Sequence, residues 1–304
     1  MRVAISGAAG LIGSALARDL SADGVDVARL VRRDAGSADE IGWNPQAGPG
    51  GLDPAALRGV DAVVHLSGAP IAGGRWTPAR KELLRDSRIK STAVLAAAMA
   101  AADPGPRVFL CGSAIGYYGD TGDRVVDESA PPGTGFLADL VRDWERATDP
   151  AKATGIRVAN LRSAVVLSAS GGMLGPLMLP FKLGLGAKVG SGSQYFSWIS
   201  LADEVRAIRF LLDNSAVAGP VNLTAPAPVT NAEFTAALAR ALGRPAVLAV
   251  PSVVLKTALG ELAGELLASA RVVPTKLIEA GFSFRYPDIN SALRQIAGQD
   301  RARR

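Results

Sequence analysis

Three glycines near the start of the chain have the spacing of a loop that binds a dinucleotide. They stand in the run Gly7, Ala8, Ala9, Gly10, Leu11, Ile12 and Gly13, which follows an apolar segment and opens a helical pattern. In such loops the first glycine permits a tight turn, the second lets a pyrophosphate approach the backbone, and the third lets the helix pack closely on the strand. The free N–H groups of the helix N-terminus then bind the phosphates. The run predicts a dinucleotide site formed by Gly7, Gly10, Leu11, Ile12 and Gly13.

Two arginines follow the second predicted strand, where the adenosine ribose of a dinucleotide is recognised. Val31 ends that strand, Arg32 and Arg33 come next, and the first acidic residue is Asp34. An acidic side chain at this point accepts a hydrogen bond from the ribose 2′-hydroxyl, whereas an arginine pairs with a 2′-phosphate. The sequence therefore predicts NADP rather than NAD, bound by Val31, Arg32 and Arg33. Two exposed arginines in an ordinary loop are the alternative.

The composition excludes several other chemistries. One cysteine and one histidine, Cys111 and His65, cannot form a disulfide or a Cys/His zinc cluster, so we expect no metal site. The net charge of +5 is scattered along the chain, which favours weak attraction of anions over binding of nucleic acid. The longest apolar run, residues 93–102, is about half of the ~20 residues that a membrane span requires. We expect a small-molecule substrate, with anionic compounds among the candidates. We expect neither a nucleic acid nor a membrane as partner.

Further segments resemble the extended short-chain dehydrogenases/reductases. The glycine run, the segment 61–68, and Ser113 followed by Tyr118 and Gly119 match successive landmarks of that superfamily. The match is closer to its atypical branch, the epimerase family proteins, which are NAD-dependent epimerase/dehydratase-like with an extra C-terminal domain of unknown function; it rests on residues 75–77, 112–120, 179–186, 190–192 and 274–282. The resemblance covers essentially the whole chain. It implies a Rossmann fold, a C-terminal substrate-side domain and NADP(H) binding, and it leaves the reaction open.

The chain departs from this superfamily in its acid–base residues. Extended reductases carry a Tyr-x-x-x-Lys pair on the helix that corresponds to residues 136–153, where the lysine lowers the pKa of the tyrosine. If Glu145 is aligned with the acidic residue usual on that helix, Leu137 and Val141 occupy the places of the pair. The pair is absent elsewhere too, because the positions four residues beyond the four tyrosines hold Thr121, Gly122, Ile199 and Asn290.

Three residues after the fourth predicted strand are candidates to replace the missing pair. Ser113 matches the active-site serine of the superfamily, and its hydroxyl could bind a substrate carbonyl at the carboxyl edge of the sheet. Tyr117 and Tyr118 offer phenols nearby, although two aromatic rings packed over a turn are the alternative. Ser113, Tyr117 and Tyr118 are therefore the predicted catalytic residues.

Other cofactor contacts are predicted from their place at the same edge of the sheet. Leu66, Ser67 and Gly68 follow a buried strand, and Gly68 permits close approach of a cofactor. Arg88 stands where relatives carry an asparagine near the nicotinamide, and Arg162 ends another strand. A cation at either position would suit a pyrophosphate or an anionic substrate, and an ion pair is the alternative for both arginines.

The elements that must position these residues alternate apolar runs with helical patterns, which is typical of βαβ units and a parallel sheet. Strands are predicted at residues 2–6, 26–31, 62–66, 107–111, 157–161 and 221–223. Helices are predicted at residues 11–20, 78–102 with Thr77 as N-cap, 136–153, 202–213, 231–242 and 274–280. After residue 163, glycines and prolines interrupt the pattern and predict a loop-rich region.

These patterns predict an α/β fold with a doubly wound parallel sheet. A Rossmann domain that binds NADP spans residues 1–165 and is completed by segments within 198–224. Residues 166–304 form a smaller substrate-side or lid region, which includes a C-terminal helical domain at 250–298. No targeting segment is evident near Met1, so we expect a cytoplasmic location.

Three functions are compatible with the sequence. The first is an NADP(H)-dependent oxidoreductase that transfers a hydride to or from an unknown carbonyl or alcohol substrate polarised by Ser113. The second is a nucleotide-sugar epimerase or dehydratase, whose steps both need the missing acid–base pair. The third is an NADP(H)-binding or sensor protein without turnover.

Overall fold

The computed structural model describes residues 1–302, with the side chains of residues 1–300. The strands are, in chain order, β1 (Arg2–Ser6), β2 (Asp26–Val31), β3 (Glu40–Gly42), β4 (Ala62–His65), β5 (Val108–Ala114), β6 (Val125–Val126), β7 (Arg157–Ser163), β8 (Val165–Ser168), β9 (Gly171–Gly172), β10 (Ala187–Val189), β11 (Tyr195–Phe196), β12 (Trp198–Ser200), β13 (Gly219–Leu223), β14 (Val229–Thr230), β15 (Leu248–Val250) and β16 (Arg271–Val272). The helices are α1 (Leu11–Ala22), α2 (Pro78–Ala101), α3 (Phe136–Arg146), α4 (Asp149–Ala153), α5 (Leu174–Lys182), α6 (Leu201–Asp213), α7 (Asn231–Leu242), α8 (Ser252–Leu259), α9 (Leu262–Leu267), α10 (Thr275–Glu279) and α11 (Ile289–Ala302). Within the described part of the chain, no helix is both long and apolar enough to cross a membrane.

A seven-stranded sheet forms the centre of the molecule, in the order β13-β7-β5-β4-β1-β2-β3. All its neighbouring strands are parallel. The chain leaves β1 in one direction toward β2 and β3, and it then continues from β4 in the other direction. The strand order therefore reverses between β1 and β4, and open α/β sheets bind their ligands at the carboxyl ends of the strands beside such a point.

Helices cover both faces of the sheet. α1 and α6 pack on one face, in a buried cluster that includes Val3, Leu16 and Ile208. α2, α3 and α4 cover the other face, where Ala4 and Trp144 belong to a second cluster. Val3 and Ala4 are neighbours in β1 and lie on opposite faces, as the two-residue period of a strand requires. The predicted doubly wound α/β fold is confirmed.

The later part of the chain forms a third buried cluster. α5, α7 and α11 contribute Met178, Phe234 and Leu293 to it. α9 instead packs on the sheet domain, because Leu262 shares a cluster with Trp76 and Leu140 near the start of α2 and in α3. The C-terminal segment therefore contacts the elements beside the ligand edge of the sheet.

The prediction of one continuous helix at residues 136–153 is wrong. α3 ends at Arg146 with Ala147 as its C-cap, and α4 begins at Asp149 with Pro150 in its first turn. Proline has no N–H to donate to the carbonyl of Arg146, so the helix cannot continue through residue 150. In the first turn of a new helix this N–H would have no partner, and proline is tolerated there.

Candidate functional site

The glycine loop between β1 and α1 is shaped by contacts that exclude side chains. Gly7 has φ +70°, and a Cβ added there would lie 2.8 Å from the carbonyl oxygen of Leu66. A Cβ on Gly13 would collide with the carbonyl oxygen of Gly7. Gly10 is the N-cap of α1 and has no side chain to bind the first N–H groups of the helix. The loop therefore fits the predicted pyrophosphate site, since it leaves backbone donors free at a positive helix end.

The loop after β4 lies directly against this glycine loop. The backbone nitrogen of Leu66 donates to Ser6 at the end of β1, and a Cβ on Gly7 would approach the backbone nitrogen of Ser67 to 3.0 Å. β1 and β4 are neighbours in the sheet, and the strand order reverses between them. The two loops predicted to hold the cofactor are thus brought together at one point.

Arg88 lies behind the loop after β4. Its guanidinium donates to the carbonyls of Ala69 at 2.9 Å and Leu84 at 3.2 Å, and its Cζ would be 3.2 Å from a Cβ on Gly68. Burial, with a smaller contribution from the charge of Arg80, lowers the pKa of Arg88 to about 10. Arg88 thus fastens the loop that carries Gly68, and its contact with an anion stays a prediction.

His65 is inaccessible and paired with neutral partners. Its Nδ1 lies 2.5 Å from the Ser6 hydroxyl and its Nε2 lies 3.1 Å from that of Ser91. Burial, reinforced by the charge of Arg88, lowers the pKa of His65 to about 3. The ring is therefore neutral at pH 7 and cannot act as a general acid at that pH.

A cavity of about 500 Å³ adjoins the end of β2 and is lined by Arg32, Arg33, Trp43, Asn44 and Gln46, among others. The Arg32 side chain is exposed and makes no hydrogen bond or ion pair within residues 1–300. Its position suits recognition of a phosphate on the adenosine ribose.

Arg33, in the same cavity, is already paired. It donates to both carboxylate oxygens of Glu40, with N–O distances of 2.6 and 2.7 Å. These hydrogen bonds raise the pKa of Arg33 and lower that of Glu40. Arg33 thus neutralises Glu40 beside the cavity, while Arg32, next to Asp34 in the lining, has no ion-pair partner within residues 1–300.

A buried polar row crosses the carboxyl ends of three neighbouring strands. Ser113 of β5 is in register with Arg162 of β7, and Arg162 with Asn222 of β13. Glu145 of α3 accepts hydrogen bonds from Ser113 Oγ at 2.6 Å and from Arg162 Nε and Nη2 at 2.7 and 2.8 Å. Burial opposes the charge of Arg162, but the hydrogen bonds and charge of Glu145 outweigh burial and raise the pKa of Arg162. Ser113 donates its proton inward, to Glu145.

The two tyrosines of the short turn after β5 have different surroundings. Tyr118 is buried, donates to Asn222 Oδ1 at 2.7 Å and accepts from Arg162 Nη1 at 3.0 Å. Burial raises the pKa of Tyr118 to about 12, against the opposing effect of Arg162. Tyr117 is half-buried, and its ring centroid lies 3.4 Å from Arg162 Cζ. Its hydroxyl has no hydrogen-bond partner among the described side chains.

Apolar packing fills the places where relatives carry Tyr-x-x-x-Lys. Leu137 contacts Gly116 and belongs to the cluster that includes Trp76 and Leu262 of α9. Val141 is buried. Leu137 thus packs with the C-terminal segment at a position where a Tyr-x-x-x-Lys pair would need polar surroundings.

Glu145 and Asn222 are the site residues that sequence reasoning missed. The position of Arg162 could have predicted a carboxylate in the site, because a cation inside a buried strand requires an acidic partner. The sequence does not say which carboxylate reaches it, since the pairing spans two elements.

Comparison with known proteins places this architecture in a family. The NAD dependent epimerase/dehydratase family matches residues 3–223, and a domain of unknown function (DUF1731) matches residues 250–296. The chain belongs to the NAD dependent epimerase/dehydratase family. It therefore has an NAD(P)-binding epimerase-type fold, and the resemblance drawn from its motifs is confirmed.

Individual relatives agree with this assignment. An epimerase family protein of Mycobacterium bovis is 53% identical over 292 residues, which cover 96% of each chain. The crystal structure of the human epimerase family protein SDR39U1 (isoform 2) with NADPH has a TM-score of 0.88 and 33% identity, over 98% of this chain and 99% of that one. The UDP-N-acetylglucosamine 4-epimerase of Bacillus cereus has a TM-score of 0.78 at 18% identity, over 99% of both chains, and supports the fold alone.

Proposed function

We propose that this chain is an NADP(H)-dependent oxidoreductase that transfers a hydride to or from a carbonyl or alcohol group of a small molecule. One observation carries the proposal: the glycine loop after β1 and the polar row around Arg162 stand at the same edge of one parallel sheet. Residues 1–165, with segments within 198–224, would bind the cofactor. Residues 166–304 would contribute the substrate side, and the protein would act in the cytoplasm.

The backbone around Gly7, Gly10 and Gly13, with the N–H groups of Leu11 and Ile12, would hold the diphosphate. Leu66, Ser67 and Gly68 would line the cofactor beyond it. Arg32 would bind the 2′-phosphate that distinguishes NADP from NAD, because it is the exposed cation without a partner in the cavity beside β2. The human relative crystallised with NADPH supports this choice.

Tyr117 is our candidate for the group that exchanges a proton with the substrate oxygen. When bound, the reduced nicotinamide supplies a hydride to a carbonyl carbon, and the carbonyl oxygen then needs a proton. The Tyr117 hydroxyl has no hydrogen-bond partner among the described residues, whereas the Tyr118 hydroxyl both donates and accepts within the buried row. The guanidinium of Arg162 lies against the Tyr117 ring and would hold that ring in position at the edge of the sheet.

Ser113 takes a different role from the one its type predicts. Its hydroxyl proton is donated to Glu145, so in this arrangement it offers lone pairs rather than a proton. It would therefore orient an alcohol substrate by accepting a hydrogen bond. Ser113 could donate its proton to a substrate carbonyl only after its hydrogen bond to Glu145 broke.

The test is transfer of an isotope. The protein is incubated with a panel of aldehydes and ketones and with NADPH that is deuterated at C4 of the nicotinamide. The masses of the products are then measured by mass spectrometry. We expect deuterium on the former carbonyl carbon of at least one compound. Binding of NADPH without deuterium in any product would favour a binding or sensor protein. In a separate incubation with NADP⁺ and a nucleotide sugar, inversion of the sugar without net formation of NADPH would favour an epimerase.

A further inference from the structure

Exposed aliphatic side chains are concentrated in two short segments, residues 179–189 and 245–256. The seven side chains are 47% to 84% exposed, and we call them the aliphatic patch: Leu179, Leu183, Leu185, Val247, Leu248, Val253 and Val254. The other exposed large hydrophobic residues among the described ones are scattered through the chain: Met1, Leu83, Val125, Leu266 and Ile278. A patch of this kind marks an interaction surface, because single exposed apolar residues are common and clusters are not.

The two segments adjoin each other in the structure. β10 pairs with β15, with Ala187 opposite Leu248, and the backbone nitrogen of Gly190 donates to the carbonyl of Val250 at 2.9 Å. α8 starts directly after β15 and buries none of its residues. Leu259 of α8 packs partly on the cluster that includes Trp76 and Leu262, whereas Val253 and Val254 stay exposed.

The charged residues of the two segments and of their neighbours in sequence are all basic. Residues 174–202 and 234–260 contain no aspartate or glutamate. Lys188, Arg244 and Lys256 form no side-chain hydrogen bond or ion pair within the described part of the chain. The nearby Lys182 is neutralised by Asp300, with an Nζ–Oδ2 distance of 2.7 Å. Three uncompensated cations therefore accompany the exposed Leu and Val side chains.

We propose that the aliphatic patch docks on the surface of a lipid bilayer that contains anionic lipids. The Leu and Val side chains enter the boundary between headgroups and acyl chains, and Lys188, Arg244 and Lys256 lie among the lipid phosphates. This is attachment to one leaflet, without a span. The sequence-based expectation of no membrane partner rests on the lack of a long apolar run, which excludes a span and leaves surface attachment open.

Two other occupants fit the surface less well. A second copy of this chain related by a two-fold axis would bring the same unpaired cations together, with no carboxylate in either segment to neutralise them. A protein partner usually binds through Trp, Tyr and Arg, whereas Leu and Val are under-represented among residues that dominate such interfaces. The aliphatic patch has no exposed aromatic side chain, and its aliphatic and basic composition suits lipid.

The test measures binding of the full chain to vesicles of phosphatidylcholine with phosphatidylglycerol, and to phosphatidylcholine vesicles alone, by flotation. Wild type is expected to float with the anionic vesicles. The triple variant Leu183→Ser, Val247→Ser and Val253→Ser is expected to bind these vesicles at least about tenfold more weakly, because it removes apolar area from the contact. The control is Leu83→Ser, Val125→Ser and Ile278→Ser, which changes three aliphatic side chains elsewhere that are 48% to 51% exposed and should bind as wild type does.

The charges are tested in the same assay. Lys188→Gln, Arg244→Gln and Lys256→Gln together should weaken binding to anionic vesicles, while Arg18→Gln, Arg58→Gln and Arg124→Gln, with the same change in net charge, should weaken it less. Melting temperature and NADPH titration verify that each variant is folded.

Three results would overturn the proposal. They are no flotation of wild type at low ionic strength, flotation that both sets of serine variants retain equally, and a dimer in analytical ultracentrifugation that the aliphatic-patch variant dissociates. The second result would mean that the net charge of the chain explains vesicle binding without the aliphatic patch. The third would mean that the aliphatic patch binds a second copy of this chain.

Discussion

Arg162 binds Glu145 through two parallel hydrogen bonds, from Nε to Oε1 at 2.7 Å and from Nη2 to Oε2 at 2.8 Å. The side chains are 3% and 12% exposed, so water solvates neither charge well. Removing one charge leaves the other buried and uncompensated. We expect Glu145→Gln to lower the free energy of unfolding by about 3–5 kcal/mol, as measured by urea denaturation.

An exposed ion pair provides the matched control for this variant. Lys90 and Asp86 form such a pair on α2, so Asp86→Asn should cost about 0–1 kcal/mol. Replacing both buried partners, with Glu145→Leu and Arg162→Met, should restore most of the stability, since no lone charge remains. If Glu145→Gln costs no more than Asp86→Asn, the buried pair does not have the importance assigned to it.

The two adjacent tyrosines should respond differently to loss of their hydroxyl groups. Tyr117→Phe should lower kcat about a hundredfold or more without changing stability, because it removes a proton donor that has no hydrogen-bond partner within residues 1–300. Tyr118→Phe should lower the free energy of unfolding by about 1–3 kcal/mol, because Asn222 and Arg162 lose a buried partner. Steady-state kinetics and denaturation of both variants test this. The reverse pattern would exchange the roles of the two residues.

Arg32 should determine the choice of nucleotide. Arg32→Glu is expected to weaken NADPH about 10- to 100-fold, because a charge-assisted contact with the 2′-phosphate is replaced by repulsion, and to leave NADH unchanged. Arg33→Gln should weaken NADPH as well, since it releases the charge of Glu40 beside the cavity. Fluorescence titration measures both nucleotides, with Arg18→Glu as control. Equal weakening of NADPH and NADH by Arg32→Glu would contradict the assignment.

Glu204 should make the stability of the protein depend on pH. Its side chain is fully buried, Ser163 donates to Oε1 at 2.6 Å, and Oε2 has no hydrogen-bond partner among the residues that the structure describes. Burial raises the pKa of Glu204 to about 8 from its ordinary 4.5. Between these values the unfolded chain releases the proton and the folded chain keeps it, so folded-state stability falls as pH rises.

Glu204→Gln should remove this dependence. The free energy of unfolding of wild type relative to Glu204→Gln is expected to decline by about 4 kcal/mol between pH 4.5 and 8, and to level off above pH 8. Urea denaturation at a series of pH values measures it, with the exposed Glu279→Gln as control. A difference that stays constant over this range would mean that Glu204 is ionised in the folded protein.

The strands and helices that hold the cofactor loops were predictable because their local signals agree with the tertiary structure. β1, β2 and α7 have the predicted bounds, and Thr77 accepts a hydrogen bond from the backbone nitrogen of Arg80 as the N-cap of α2. Each is a short run rich in apolar residues or a capped helical pattern. Nothing further along the chain needs to be known to find them.

The missed elements had weaker or overlooked signals. α5 contains Pro180, which argued against a helix, although its buried residues Leu174, Met178 and Phe181 keep helical spacing. α11 carries buried apolar residues at helical intervals after Asp288, which accepts from two backbone nitrogens, so its pattern was present in the sequence. β3 has three residues and pairs only with β2, which leaves no run to recognise.

The candidate site was predictable only in part for a similar reason. The glycine loop depends on local geometry, and its residues could be named from their spacing. Tyr117 and Tyr118 are neighbours with the same chemistry, and they differ only in what β7 and β13 bring beside them. The inward hydrogen bond of Ser113 likewise depends on where α3 places Glu145.

Calorimetric titration of the wild-type protein with NADPH and with NADH tests the central claim most directly, since every cofactor-binding and catalytic role assigned above depends on a dinucleotide at the loop from Gly7 to Gly13. We expect saturable heat with one nucleotide bound per chain, and tighter binding of NADPH than of NADH. The absence of heat with either nucleotide would contradict the account.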